Sequence, residues 1–105
     1  MSVKNLTIKN FDEFIKIGNK VVEFGADWCI PCKILKPNYE KAAEEIEDVK
    51  FGSVDVDKEN KLAQRFDVMS VPTLIFFKNK AQVDRIIGAV SKEELVSKIK
   101  KAFKK

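Results

Sequence analysis

Polar and apolar residues alternate from Val3 to Ile8, and this period of two predicts a strand. Asn10, with Glu13 three residues later, reads as the capping box of a short helix that closes at Gly18. Lys20 to Ala26 follows as a second strand. Its run Val21, Val22, Glu23, Phe24 is apolar on both faces except for one carboxylate, as in a central strand covered by helices. From Pro31 to about Asp48 the apolar positions Ile34, Leu35, Tyr39, Ala42, Ala43 and Ile46 recur at helical spacing. Pro31 suits the first turn of that helix, while Pro37 lies inside it and is expected to kink it.

Phe51 to Val56 reads as a strand and Lys58 to Phe66 as a short helix. Thr73 to Phe77 and Gln82 to Ile87, joined by Lys78-Asn79-Lys80, read as a hairpin and must be antiparallel. Ser91 with Glu94 makes a second capping box, opening a helix whose apolar stripe is Leu95, Ile99, Ala102 and Phe103. The order β-α-β-α-β-α-β-β-α implies an α/β domain with a mixed sheet of about five strands flanked by four helices. Repeats, low-complexity tracts and linkers are lacking, so residues 1–105 read as one domain.

Composition narrows the chemistry. The chain carries 20 basic and 16 acidic residues, two cysteines and no histidine. Without histidine no Ser-His-Asp or Cys-His mechanism can be built, and a zinc site would have two soft ligands where about four are wanted. Chemistry must therefore come from Cys, carboxylates, Lys or the backbone. Most of the eight Phe must be buried, which argues against disorder and against a disulfide scaffold. The first ten residues lack the apolar run of a signal peptide, and no segment approaches the roughly 20 apolar residues of a membrane span. The expectation is a cytoplasmic protein. In a reducing compartment one close cysteine pair is more often catalytic, redox-sensing or metal-binding than a permanent staple.

The informative stretch is Ala26-Asp27-Trp28-Cys29-Ile30-Pro31-Cys32-Lys33, which joins a central strand to the longest helix. A helix N-terminus offers free N–H groups and about half a positive charge to an anion, and a Cys29 thiolate is such an anion. Cys32 lies one turn away at a spacing of about 5–6 Å, within the span that a disulfide accepts. Two inert structural thiols, or half of an intermolecular metal site, are the plain alternatives. Neither explains a position at a helix start behind a Trp.

Trp-Cys-X-Pro-Cys-Lys after a hydrophobic strand, Val71-Pro72-Thr73 with its proline 40 positions after the second cysteine, and Gly88 before the last helix resemble the thioredoxin family. The resemblance runs from Phe11 to the last helix. It implies the thioredoxin fold and a cytoplasmic, monomeric protein-disulfide reductase that carries electrons from a thioredoxin reductase to disulfide-containing proteins. No bound cofactor and no metal are implied. Cys29 would be the attacking cysteine, Cys32 the resolving one, and Pro72 a cis-proline packed against them. Ile30 replaces the usual Gly between the cysteines, Glu23 stands where most members have a buried Asp, Gly25 where many have a second Trp, and Ser53 where many have Lys. A glutaredoxin-like or isomerase-like member, or a non-catalytic binding module, are the rival readings.

On this basis Glu23 is expected as a buried acid used for proton transfer, rather than a partly solvated surface carboxylate. Trp28, Ile30, Pro31, Val71 and Gly88, with Ala89 nearby, are expected to form the rim on which an extended substrate segment docks. Pro72 could instead be a plain proline at the first position of a strand. Lys98, Lys100, Lys101, Lys104 and Lys105 complement the end of an exposed helix, and Glu44, Glu45, Glu47 and Asp48 form a solvated face. Neither group is taken as a nucleic-acid or membrane surface.

Overall fold

The computed structural model describes residues 2–104, so Lys105 lies outside the described residues, as does Met1. Nine elements follow in order: β1 (Val3–Asn5), α1 (Phe11–Ile15), β2 (Asn19–Gly25), α2 (Ile30–Glu45), β3 (Lys50–Asp55), α3 (Asn60–Arg65), β4 (Thr73–Lys78), β5 (Ala81–Ile87) and α4 (Lys92–Ala102). They build one five-stranded sheet in the order β1-β3-β2-β4-β5. β1, β3 and β2 run parallel, and β4 and β5 run antiparallel to their neighbours. The expected mixed sheet with four helices is thus the observed one.

β2 is the central strand. Glu23 stands opposite Ser53 of β3 on one side and Leu74 of β4 on the other. Successive side chains alternate between the two layers. Val21, Leu74, Phe76 and Phe51 pack against Leu35, Tyr39, Ala42 and Ala43 of α2 and Leu95, Val96 and Ile99 of α4. Val22, Phe24, Ile75 and Phe77 pack on the opposite face against Phe11 and Ile15 of α1 and Leu62 of α3. Phe11, Phe24, Phe51, Phe76 and Phe77 are fully buried. The Tyr39 hydroxyl lies 3.0 Å from the Val21 carbonyl and 2.7 Å from that of Gly52, which seats α2 across β2 and β3.

Several element ends differ from the sequence expectation. Asn10 does not cap α1 through its side chain: its Oδ1 accepts from the Thr7 amide at 2.7 Å, closing the preceding turn. That turn also ends β1 at Asn5 rather than Ile8. α1 stops at Ile15, and Gly18, at φ +92°, belongs to the turn into β2. α2 starts at Ile30, continues through Pro37 and ends at Glu45, because Ile46 turns extended and is buried with Val49. α3 is trimmed to Asn60–Arg65. Ser91 caps α4 as expected, its Oγ accepting from the Glu94 amide at 3.1 Å. Lys98, Lys100, Lys101 and Lys104 are exposed, as are Glu44, Glu45, Glu47 and Asp48. Among the described residues no helix is long and apolar enough to cross a membrane.

Candidate active site

Cys29 is the residue at which strand geometry gives way to helix. Its backbone is extended, at φ −88° and ψ 113°, and its own side chain caps α2. Cys29 Sγ accepts from the Cys32 amide at 3.2 Å, one of the free donors of the first helical turn. Negative charge developing on that sulfur meets an N–H already aimed at it and the positive end of a 16-residue helix. The Cys29 thiol in turn donates to the Val71 carbonyl at 3.7 Å. Both cysteines are free thiols.

The two sulfurs are both buried, at 4% exposure for Cys29 and 8% for Cys32, so accessibility does not separate them. Their surroundings do. Burial, then the hydrogen bond with Cys29, and then the like charges of Cys29 and Glu23 push the Cys32 thiol up to about 12. Cys32 therefore holds its proton at neutral pH.

Glu23 is half-buried rather than fully enclosed, and it faces the α2 layer. Burial pushes its carboxyl up to about 7, with Lys36 of α2 opposing the shift. It lines an open groove of about 940 Å³ together with Gly25, Cys32, Lys36, Tyr39 and Ser53. Asp27, Lys33 and Glu40 extend the α2 side of that groove. The acid and the second sulfur thus share one solvent-connected space, and an acid poised near neutrality is suited to accept a proton there.

Of the expected rim residues, Val71 packs against the two cysteines, and its carbonyl accepts from the Cys29 thiol. Trp28 and Ile30 are each 67% exposed. Pro31 is exposed, Val71 half-buried, Pro72 buried, and the Val71–Pro72 peptide bond is cis, as the resemblance implied. Gly88 donates its amide to the Pro72 carbonyl at 2.8 Å and has φ +101°, a conformation that favours glycine. Ala89 beside it is exposed. The exposed Ile34, one turn after Ile30, and Met69, just before the Val71 loop, add apolar surface at two of these segments.

Two residues here were not foreseen. Asp57 accepts from Trp28 Nε1 at 2.8 Å and pins the exposed indole. Its only sequence signal was an Asp-x-Asp run after the third strand, where Asp55 Oδ1 in turn accepts from the Asp57 amide at 2.9 Å. Gly25 was visible as a departure from the family pattern, but its closeness to Glu23 and Cys32 is a tertiary fact.

A fold and a dithiol so arranged define a class, the dithiol–disulfide oxidoreductases, whose two sulfurs exchange electrons with a disulfide of another protein. The family model for thioredoxin matches residues 2–101. A thioredoxin of Chlamydia pneumoniae is 41% identical over 99 residues, covering 94% of this chain and 97% of its own. One from Staphylococcus haemolyticus is 40% identical over 102 residues, at 96% and 98% coverage. Among solved structures, the thioredoxin of Malassezia sympodialis superposes with a TM-score of 0.87 at 32% identity, covering 96% of this chain and 90% of its own. The chain belongs to the thioredoxin family.

Proposed function

We propose that this chain reduces protein disulfides with Cys29 as nucleophile, Cys32 as resolving thiol and Glu23 as the base that frees Cys32. The observation that carries the assignment is the unequal setting of the sulfurs. Cys29 Sγ accepts an N–H at a helix start, while Cys32 keeps its proton beside a carboxyl shifted to about 7. In the first step Cys29 thiolate forms a bond to one substrate sulfur, the substrate S–S bond breaks, and the departing thiolate takes a proton. In the second, Cys32 gives its proton to Glu23 and attacks Cys29 Sγ. The Cys29–substrate bond breaks, the expelled thiolate takes up the proton held by Glu23, the substrate leaves as a dithiol with two electrons, and a Cys29–Cys32 disulfide remains.

Trp28, Ile30, Pro31, Val71 and Gly88 form the docking rim, and Pro72 holds the Val71 segment extended for main-chain pairing with a substrate strand. A thioredoxin reductase, drawing on NADPH, ferredoxin or a flavin, rereduces the pair, so the chain acts as an electron carrier. It works as a cytoplasmic monomer without a bound cofactor. Ile30-Pro31 gives a thiolate neither charge nor donor side chain, so the potential should lie near roughly −270 mV rather than the roughly −120 mV of strong oxidants. A glutathione redox titration measures it, and the higher value would refute the reductase role.

The test of the sulfur roles is a pair of variants read by mass spectrometry. Cys29→Ser should abolish turnover of a model protein disulfide. Cys32→Ser should accumulate a covalent substrate adduct on Cys29. An adduct on Cys32 in Cys29→Ser would reverse the assignment.

A further inference from the structure

Residues 23 and 25 lie two apart on β2 and so point to the same side of the sheet, towards α2. Gly25 is not one of the glycines at positive φ, so its backbone would accept any residue. What it cannot accept is volume. A Cβ built on Gly25 overlaps Glu23 Oε2, and it lies 3.2 Å from Glu23 Cδ and 3.3 Å from Cys32 Sγ. The carboxylate and the resolving sulfur therefore converge on the space that a single methyl group would fill. Both lie within reach of one bridging water.

We infer that Gly25 is a positioning residue for the second chemical step: its missing side chain is the seat that holds the long acid Glu23 beside Cys32. The inference rests on Glu23 acting as the base proposed above. The length of Glu23 and the bareness of Gly25 form a matched pair, because only a bare α-carbon lets a carboxylate on a glutamate-length arm lie back over its own strand against the sulfur. A methyl at position 25 would displace the flexible end of Glu23 into the open groove, so the fold survives while the proton path lengthens. The titratable groups that line the groove with the carboxylate are Cys32, Lys33, Lys36, Tyr39 and Glu40 from α2 and Asp27, Asp55, Lys58 and Glu59 from outside it. In the groove a displaced carboxylate meets water and these lysines, and both return it towards its ordinary value.

The experiment measures the two steps separately by stopped flow in wild type, Gly25→Ala, Glu23→Asp, Glu23→Gln and the double variant Gly25→Ala/Glu23→Asp, with carboxyl titration by NMR. Attack by Cys29 should stay within about twofold of wild type throughout, while Gly25→Ala slows resolution by Cys32 roughly tenfold or more and lowers the Glu23 titration point. The decisive result is rescue. Shortening the acid in the Gly25→Ala background should make resolution faster than in Gly25→Ala alone, a non-additive coupling that a general loss of stability would not produce. Slow resolution in Glu23→Gln with wild-type resolution in Gly25→Ala would overturn the seat and leave the base standing. Wild-type resolution in Glu23→Gln would overturn the base and, with it, the positioning role that rests on it. If Gly25→Ala fails to fold, Glu23→Asp with Gly25 intact serves instead, because a carboxylate one methylene short of its seat should slow resolution. A wild-type rate there refutes the match.

Discussion

The two faces of β2 are built to opposite standards. On one, Val22 and Phe24 are closed over by Phe11, Phe66 and Phe77, with ring centroids 5.2 Å apart for Phe11 and Phe66 and 6.4 Å for Phe11 and Phe24. On the other, Val21 is packed in the same way, but the next positions along the strand are a carboxylate and a bare α-carbon that open on a groove. One strand thus changes, within five residues and on one side only, from core to chemistry. The aromatic face fixes where β2 lies, so the other face can keep an unneutralised acid and an unfilled space without loss of the fold.

The largest effect should come from breaking the aromatic face. Phe24→Ala leaves a cavity among three rings and should cost about 4 kcal/mol of stability, measured by urea unfolding. The potential of the remaining folded protein should stay where it was. A changed potential would mean that the faces are not independent.

Next is the acid. Glu23 titrates near 7 in the folded chain against an ordinary value of 4.5, so the folded state binds its proton more tightly than the unfolded one. Stability from this group is then fully present below about 4.5 and is lost as pH rises to about 7, a difference of about 3 kcal/mol. Glu23→Gln should remove that slope, so the gap in unfolding free energy between variant and wild type should widen between pH 4.5 and 8. A constant gap would place Glu23 in water.

Lys36 sharpens the same contrast, because it opposes the effect of burial on Glu23. Lys36→Met should raise the Glu23 titration further above 7 and move the pH dependence of resolution with it, while attack by Cys29 keeps its profile. The smallest effect concerns the rim. Asp57→Ala frees the Trp28 indole and should lower kcat/KM roughly threefold, about the net worth of one exposed hydrogen bond. Glu23 titration should not respond.

Much of this was legible in the chain. Period-two and two-sided apolar runs, helical stripes and capping or turn residues together located every element, because the sheet is covered on both faces and its core residues recur at the spacing of each secondary structure. The cysteine pair declared itself through its place between a strand and a helix. The ends of elements were less legible, since Asn10 can serve a helix or a turn with the same atoms, and the Thr7 amide won them. The half-burial of Glu23 depends on the groove, which is a property of how β1, β3 and α2 come together rather than of any local pattern. Asp57 met Trp28 across 29 positions, and nothing in a one-dimensional pattern joins them.

At the end of the sheet away from the cysteines, the Gly18 amide donates to Asn79 Oδ1 at 2.7 Å and the Asn79 amide donates to the Gly18 carbonyl at 3.0 Å. Asn79 and Lys80 turn the hairpin with φ of 48° and 79°, the two positive values that a tight two-residue turn requires. This reciprocal pair acts as an index mark for β4. A slip of one residue against β2 would turn Leu74 and Phe76 towards the aromatic layer and Ile75 and Phe77 towards α2, inverting both cores at once. Because alignment is set at the hairpin tip, the exposed side chains of Met69 and Ser70, ahead of the Val71 carbonyl that meets Cys29, carry none of that duty. Their composition can change, and with it the choice of partner, while the strands they lead into stay in step.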